Sequence, residues 1–407
     1  MAEIILGLGL LAGIYMAWNI GANDIANGMA SPVAAKAITL RQAVVIGGIL
    51  DFVGATFIGS HVTSTISKDI LRTDLITDPN VMMIGLLSTL LAAAFWIFMA
   101  TWKQLPVSTT HAIVGAMVGF GMVAGGIHAI RWGKILPIVL SWIISPLFAG
   151  VLTYVIFIII RNRILSNRNN FLAALRWTPF FSSITFFIVI VSMLTKTPLG
   201  TRLGIDMQSG ILWSLFSSII LGFTAKYLMK KTIHKVEEEG VEEIFRRLQV
   251  FTACYVSLAH GANDVANAIG PLAGIYFIYH HHTLVQTAEV PIFLLAGGGL
   301  FIAIGVFTWG YRVIETVGHK ITVLNNSRGF AVDFGTATSV LLASKMGLPV
   351  STTHAAVGSV IGVGLCGGVA AVDFKVVWNI MLYWVITLPL SAIPTIIIFL
   401  ILEWIFL

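Results

Sequence analysis

The residues best placed to do chemistry lie in two short motifs, each present twice. GANDIAN at 21–27 returns as GANDVAN at 261–267, and LPVSTTHA at 105–112 returns unchanged at 348–355. The first motif gathers Asn23, Asp24 and Asn27, and again Asn263, Asp264 and Asn267, inside otherwise apolar sequence. A carboxylate flanked by amide oxygens is an all-oxygen donor set. It suits a hard cation such as Na+, and nothing beside it resembles the His/Cys set that holds a transition metal. A carboxylate in the middle of a membrane costs about 2.5–3.5 kcal/mol on insertion scales. Two in equivalent places imply a shared task, which we read as sodium binding at Asp24 and Asp264. The competing readings are capping of a half-helix and carriage of a proton by a buried carboxyl group.

The second motif supplies the opposite chemistry. Pro106 and Pro349 stop one helix and favour the start of the next. Ser108, Thr109 and Thr110, and their partners Ser351, Thr352 and Thr353, then fall at N-cap and first-turn positions. Hydroxyls, free backbone N–H groups and a positive helix end form an anion site that carries no formal charge. One such triplet is ordinary capping; duplication of the whole octapeptide points to recognition. His111 and His354 follow directly and either donate to the anion, orient a threonine or simply pack. Glu315, in RVIETVG, either pairs with Arg312 one turn earlier or helps to hold a further cation. Gly21 and Gly261 are expected to permit local helix breaks that free main-chain carbonyls.

The elements that must position these residues are membrane helices. The 407 residues are 57% hydrophobic and 10% charged, against roughly 25% charged in soluble domains, and mean hydropathy is +0.93. A water-soluble globule is excluded. The net charge of +6 reads as basic cytoplasmic loops rather than nucleic-acid affinity. Apolar segments fall at about 4–30, 42–66, 81–101, 105–127, 135–160, 171–194, 208–229, 248–279, 291–311, 329–347, 349–372 and 376–402. Backbone in lipid must satisfy its own hydrogen bonds, so they are helical. The expected fold is an all-α polytopic membrane protein of about twelve transmembrane segments. The expected organisation is a first repeat over 1–134, added scaffold helices over 135–229, a short amphipathic cytoplasmic segment over 230–247, a second repeat over 248–375 and a final helix over 376–407. A weaker match supports the repeat: Gly47, Gly48, Gly54 and Gly59 align with Gly298, Gly299, Gly305 and Gly310. Distribution of Lys and Arg favours inverted repeats in which each STT segment crosses once, with re-entrant STT hairpins as the alternative. Cys254 and Cys366 read as packing residues.

Paired GAND-x-AN and PVSTTHA motifs about 240 residues apart resemble those of the inorganic phosphate transporter (PiT) family, over nearly the whole chain. The resemblance implies an inverted-repeat fold in the cell membrane, uptake of inorganic phosphate driven by Na+ or H+, and a homodimer. It implies cation coupling at the GAND residues and phosphate at the STT residues. Sulfate permeases occur in the same family, so sulfate or another tetrahedral oxyanion stays open as substrate. Some relatives carry a glutamate where this chain has Ser64. No enzyme activity is expected, since a Ser-His-Asp hydrolase would need neither duplicated motif and the GxSxG elbow is missing. No cofactor and no nucleic-acid partner are expected.

Overall fold

The computed structural model describes the chain except residues 196–199, 201–202, 235–236, 285–289, 318–323 and 369–370, and the side chains at 67–68, 237–238 and 315–317. Fifteen α-helices form among the described residues: α1 (Ala2–Asp24), α2 (Ala26–Ala34), α3 (Leu40–Ile58), α4 (Ser60–Lys68), α5 (Pro79–Trp102), α6 (Thr109–Gly125), α7 (Trp132–Ile160), α8 (Asn170–Leu194), α9 (Met207–Thr232), α10 (Glu237–His281), α11 (Ile292–Trp309), α12 (Tyr311–Val317), α13 (Asn326–Lys345), α14 (Thr352–Leu365) and α15 (Phe374–Phe406). Eight helical stretches are long and apolar enough to cross a membrane, and α6 and α14 are shorter apolar helices. Each of the twelve apolar segments read from sequence becomes one helix or one interrupted pair.

The halves are inverted. Along α1 and α2 the faces of Gly9, Gly13 and Gly28 meet Ile275, Leu272 and Val256 of α10 in turn. Residue number rises on one helix as it falls on the other, so the two GAND helices run antiparallel. The glycine-matched helices repeat the relation, with Gly48 of α3 against Phe307 of α11 and Gly299 of α11 against Ala55 of α3. Both of these helices are interrupted at matching glycines, Gly59 and Gly310.

The STT segments are tips of helical hairpins. In the first, the chain before α5 pairs with the chain after α6 through Arg72 N to Ala129 O (2.8 Å) and Arg131 N to Ile70 O (2.9 Å). Each ascending helix ends in a left-handed residue, Gln104 (φ 57°) and Gly347 (φ 72°). There Leu105 N and Leu348 N return to Ala100 O (2.8 Å) and Ala343 O (3.0 Å), the bond that closes a helix before a sharp turn. Ser108 and Ser351 then cap α6 and α14 by accepting from His111 N and His354 N, both at 3.2 Å. The tips touch: Thr110 Oγ1 donates to Val350 O (3.0 Å) and Thr353 Oγ1 to Val107 O (3.3 Å). Tips of oppositely oriented hairpins can meet only at a common depth. The geometry is therefore the hairpin one, with the turn inside the protein, rather than a full crossing by each STT segment.

The charged stretch at 230–247 forms the end of α9 and the opening turns of α10. It ties neighbours together: Glu242 accepts from Asn326 N (2.9 Å) and Ser327 Oγ (2.9 Å) at the start of α13, and Arg246 donates to Ala37 O (3.2 Å) just past α2.

Candidate functional site

The structure brings both GAND segments and both STT tips together. Asp24 accepts a 2.6 Å hydrogen bond from Thr109 Oγ1, and Asp264 accepts one of 3.0 Å from Thr352 Oγ1. Asn27 donates across the pseudo-two-fold to Thr352 Oγ1 (3.1 Å) and Thr353 Oγ1 (2.9 Å). Asn267 mirrors it with Thr109 Oγ1 (3.2 Å) and Thr110 Oγ1 (3.3 Å). Asn23 and Asn263 hold the tips from behind. Asn23 Nδ2 donates to Thr101 Oγ1 (2.9 Å) and Leu105 O (3.2 Å); Asn263 Nδ2 donates to Val350 O (2.7 Å) and Asp264 Oδ1 (2.6 Å). Ser108, Thr109, Thr110, Ser351, Thr352 and Thr353 are all buried, as are both aspartates.

The cluster concentrates buried acid with little to offset it. One atom from each of Asp24, His260 and Asp264 falls within 4.8 Å of the others. Two like charges at that separation repel by roughly 3.5 kcal/mol at an effective dielectric of about 20. Burial adds the cost of lost hydration. Among the described residues no lysine or arginine forms an ion pair with them; the titratable groups beside them are His260 and Asp51. Oxygens without a hydrogen-bond donor remain at the centre, namely Asp24 Oδ1, Asn23 Oδ1 and Asn267 Oδ1. These are acceptors that a hard cation satisfies and no protein donor does.

The histidines of the STT motif do not orient threonines. His111 Nδ1 lies 3.0 Å from Trp384 O on α15, and His354 Nδ1 3.0 Å from Trp142 O on α7. A carbonyl only accepts, so Nδ1 carries the proton in both. The rings form a row, Trp142–His111–His354–Trp384, with centroids 3.8, 4.5 and 3.5 Å apart, the two imidazoles meeting edge to face. Trp142 and Trp384 thus occupy equivalent places on α7 and α15. Glu315 lies outside the side chains described.

Gly21 and Gly261 do not break their helices. α10 runs unbroken through Gly261, and the interruption between α1 and α2 comes at Ile25. Both glycines serve close packing instead: a Cβ on Gly21 would stand 1.9 Å from Ile302 O, and one on Gly261 2.1 Å from Asp51 O.

Sequence reasoning missed Asp51 and His260. His260 Nδ1 lies 3.0 Å from Asp51 Oδ1 and Nε2 lies 3.0 Å from Asp264 Oδ2, all fully buried. Asp51 is a lone acid in an apolar stretch, the same signal that singled out Asp24. Missed too was a second buried polar group in the second half. There Gln249 Nε2 donates to Ser31 Oγ at 3.0 Å, beside the carboxyl group of Asp333.

An all-helical membrane protein of two inverted repeats, closing a shared polar site between two hairpin tips, has the build of a transporter. Comparison with known proteins agrees. The family model described as the phosphate transporter family matches residues 20–395. A protein of Pyrococcus furiosus whose name assigns it to the phosphate permeases is 44% identical, over 98% of this chain and 96% of its own. The inorganic phosphate transporter 2-1, chloroplastic, of Arabidopsis thaliana is 40% identical over 94% of this chain and 70% of its own. A solved structure titled the sodium-dependent phosphate transporter superposes with a TM-score of 0.94 at 43% identity, covering 99% of this chain and all of that one. The chain belongs to the phosphate transporter family.

Proposed function

We propose that the protein carries inorganic phosphate together with Na+ across the cell membrane by alternating access, with Asp24, Asp264 and their asparagines as cation ligands. The observation that carries the reading is the pairing of each STT tip with a GAND carboxylate, Thr109 with Asp24 and Thr352 with Asp264. Anion-binding helix ends and cation-binding carboxylates share one hydrogen-bond network, so each ligand fills part of the other's site. Phosphate sits at the tips against Ser108 to Thr110 and Ser351 to Thr353, held by hydroxyls and first-turn N–H groups. Two Na+ ions beside Asp24 and Asp264 relieve the repulsion between the carboxylates and offset the charge of a divalent phosphate. The solved relative is titled sodium-dependent, which supports Na+ over H+. His111 and His354 hold the tips rather than the anion.

In this reading the repeats over 1–134 and 248–375 carry the site, residues 135–229 and 376–407 frame it, 230–247 faces the cytoplasm and the protein works as a homodimer. The pairing of Trp142 with Trp384 draws α7 and α15 into the same two-fold relation. The test is phosphate uptake into proteoliposomes over a Na+ series at fixed pH. Uptake rising with Na+ in a Hill coefficient above one is expected. Full uptake without Na+, driven by a proton gradient, overturns the coupling. Equal competition by sulfate overturns the substrate.

A further inference from the structure

The site departs from two-fold symmetry around Asp264. In the motif alignment His260 corresponds to Ile20, and in the glycine alignment Asp51 corresponds to Ile302. Only the second repeat therefore has a histidine wedged between its GAND aspartate and a further acid, at 3.0 Å from each. The two aspartates differ accordingly. Asp24 has Oδ2 bonded to Thr109 and Oδ1 with no partner among the described residues. Asp264 has both oxygens hydrogen-bonded, Oδ1 by Asn263 Nδ2 at 2.6 Å and Oδ2 by Thr352 Oγ1 at 3.0 Å; His260 Nε2 stands 3.0 Å from Oδ2 as a close polar contact rather than an aligned hydrogen bond. Donors on a carboxylate compete with a metal ion for its lone pairs and reduce the negative field that the ion meets.

Resting on the assignment of Na+ to these aspartates, we infer that the two cation sites are unequal. Asp24 forms the tight site and Asp264 the weak one, and His260 with Asp51 sets the difference. His260 is a positioning residue: it holds Asp264 from the side opposite the hairpin tip. Asp51 holds His260 and, through the contact of its backbone with Gly261, fixes the α3–α10 spacing on which the relay depends. Unequal sites give the two ions an order, the ion at Asp24 binding first and leaving last.

The experiment gives the second repeat the residues of the first, as Asp51→Ile with His260→Ile. Replacing a buried ion pair by apolar residues of similar size leaves no charge stranded and is often tolerated. Radiosodium binding to the purified protein is measured at fixed pH with saturating phosphate. The wild type is expected to show two half-saturation concentrations about tenfold or more apart, and the double variant a separation below about threefold, through tightening of the weaker step. Asp264→Asn should remove the weak step and Asp24→Asn the tight one. If neither substitution alters Na+ binding, the cation assignment falls. If they do, but the double variant keeps the wild-type separation, the inference falls. Should the double variant not fold, Asp51→Asn serves. It keeps the shape but loosens the hold on His260, and an unchanged weak step there also overturns the inference.

Discussion

The close packing at Gly21 gives a sharp test of how the site is held. A methyl group there would sit 1.9 Å from the backbone oxygen of Ile302, roughly 1.4 Å inside an ordinary C···O contact of about 3.3 Å. Neither partner can rotate away, because the obstacle is main chain in the middle of α11. Gly21→Ala must therefore push α1 and α11 apart. Overpacking of this kind costs about 1–3 kcal/mol. The displacement also reaches Asp24, less than one helical turn away on the same helix. Gly7→Ala is the internal control, on the same helix with open space around it; there alanine should gain up to about 1 kcal/mol of helix propensity. Thermal unfolding of both variants in detergent, with Na+-dependent uptake in proteoliposomes, separates the effects. A lower melting temperature and weaker Na+ dependence for Gly21→Ala, with neither in Gly7→Ala, is the expected result. Identical behaviour of the two would refute the claim that this backbone approach sets the geometry of the cation site.

Other expectations follow from single contacts. Thr109→Val removes the donor on Asp24 Oδ2, frees that lone pair for the ion and should lower the Na+ half-saturation several-fold. Thr352→Val should shift the Na+ half-saturation less, because Asp264 keeps its bond from Asn263; uptake over a Na+ series compares them, and equal shifts would contradict the geometry. Asn27→Ala breaks both bonds from the first GAND segment to the second tip and should weaken phosphate several-fold at saturating Na+, read by phosphate titration of uptake. Glu242→Ala leaves the amides of Asn326 and Ser327 without their side-chain acceptor, while Asn325 still caps α13, and should cost about 1 kcal/mol, seen as faster amide exchange at Asn326 and Ser327 with transport intact.

Much of the site was legible because duplication marks it. Identical octapeptides and near-identical heptapeptides pointed to both aspartates and both hydroxyl triplets, and the structure joins them in matched pairs. Repetition was legible through the glycine match, whose last members, Gly59 and Gly310, prove to be matching helix interruptions; the charge distribution favoured inversion but with each STT segment crossing, whereas the tips turn back inside the protein. What a search for matches cannot find is a mismatch. Asp51 and His260 stand opposite isoleucines, so they contribute nothing to the alignment, although His260 lies 3.0 Å from one of the aspartates and Asp51 lies 3.0 Å from His260. The glycines before each motif were read from backbone freedom, whereas tertiary packing decided their role. α7 and α15 share too little sequence for their equivalence to show; a tryptophan at matching places and the carbonyl it offers to a histidine appear only once the chain is folded.

The row of rings between the tips also constrains the order in which the molecule can be assembled. His111 finds its carbonyl on Trp384, 273 residues further along the chain. While the chain is being synthesised, the first hairpin is made long before the helix that anchors it exists. Its tip must wait, with a polar nitrogen unsatisfied, as the intervening helices insert. The second hairpin meets the opposite condition, because Trp142 is already in place when His354 emerges. The half made first is therefore completed last. An incompletely made chain then cannot complete the contact that anchors its first tip.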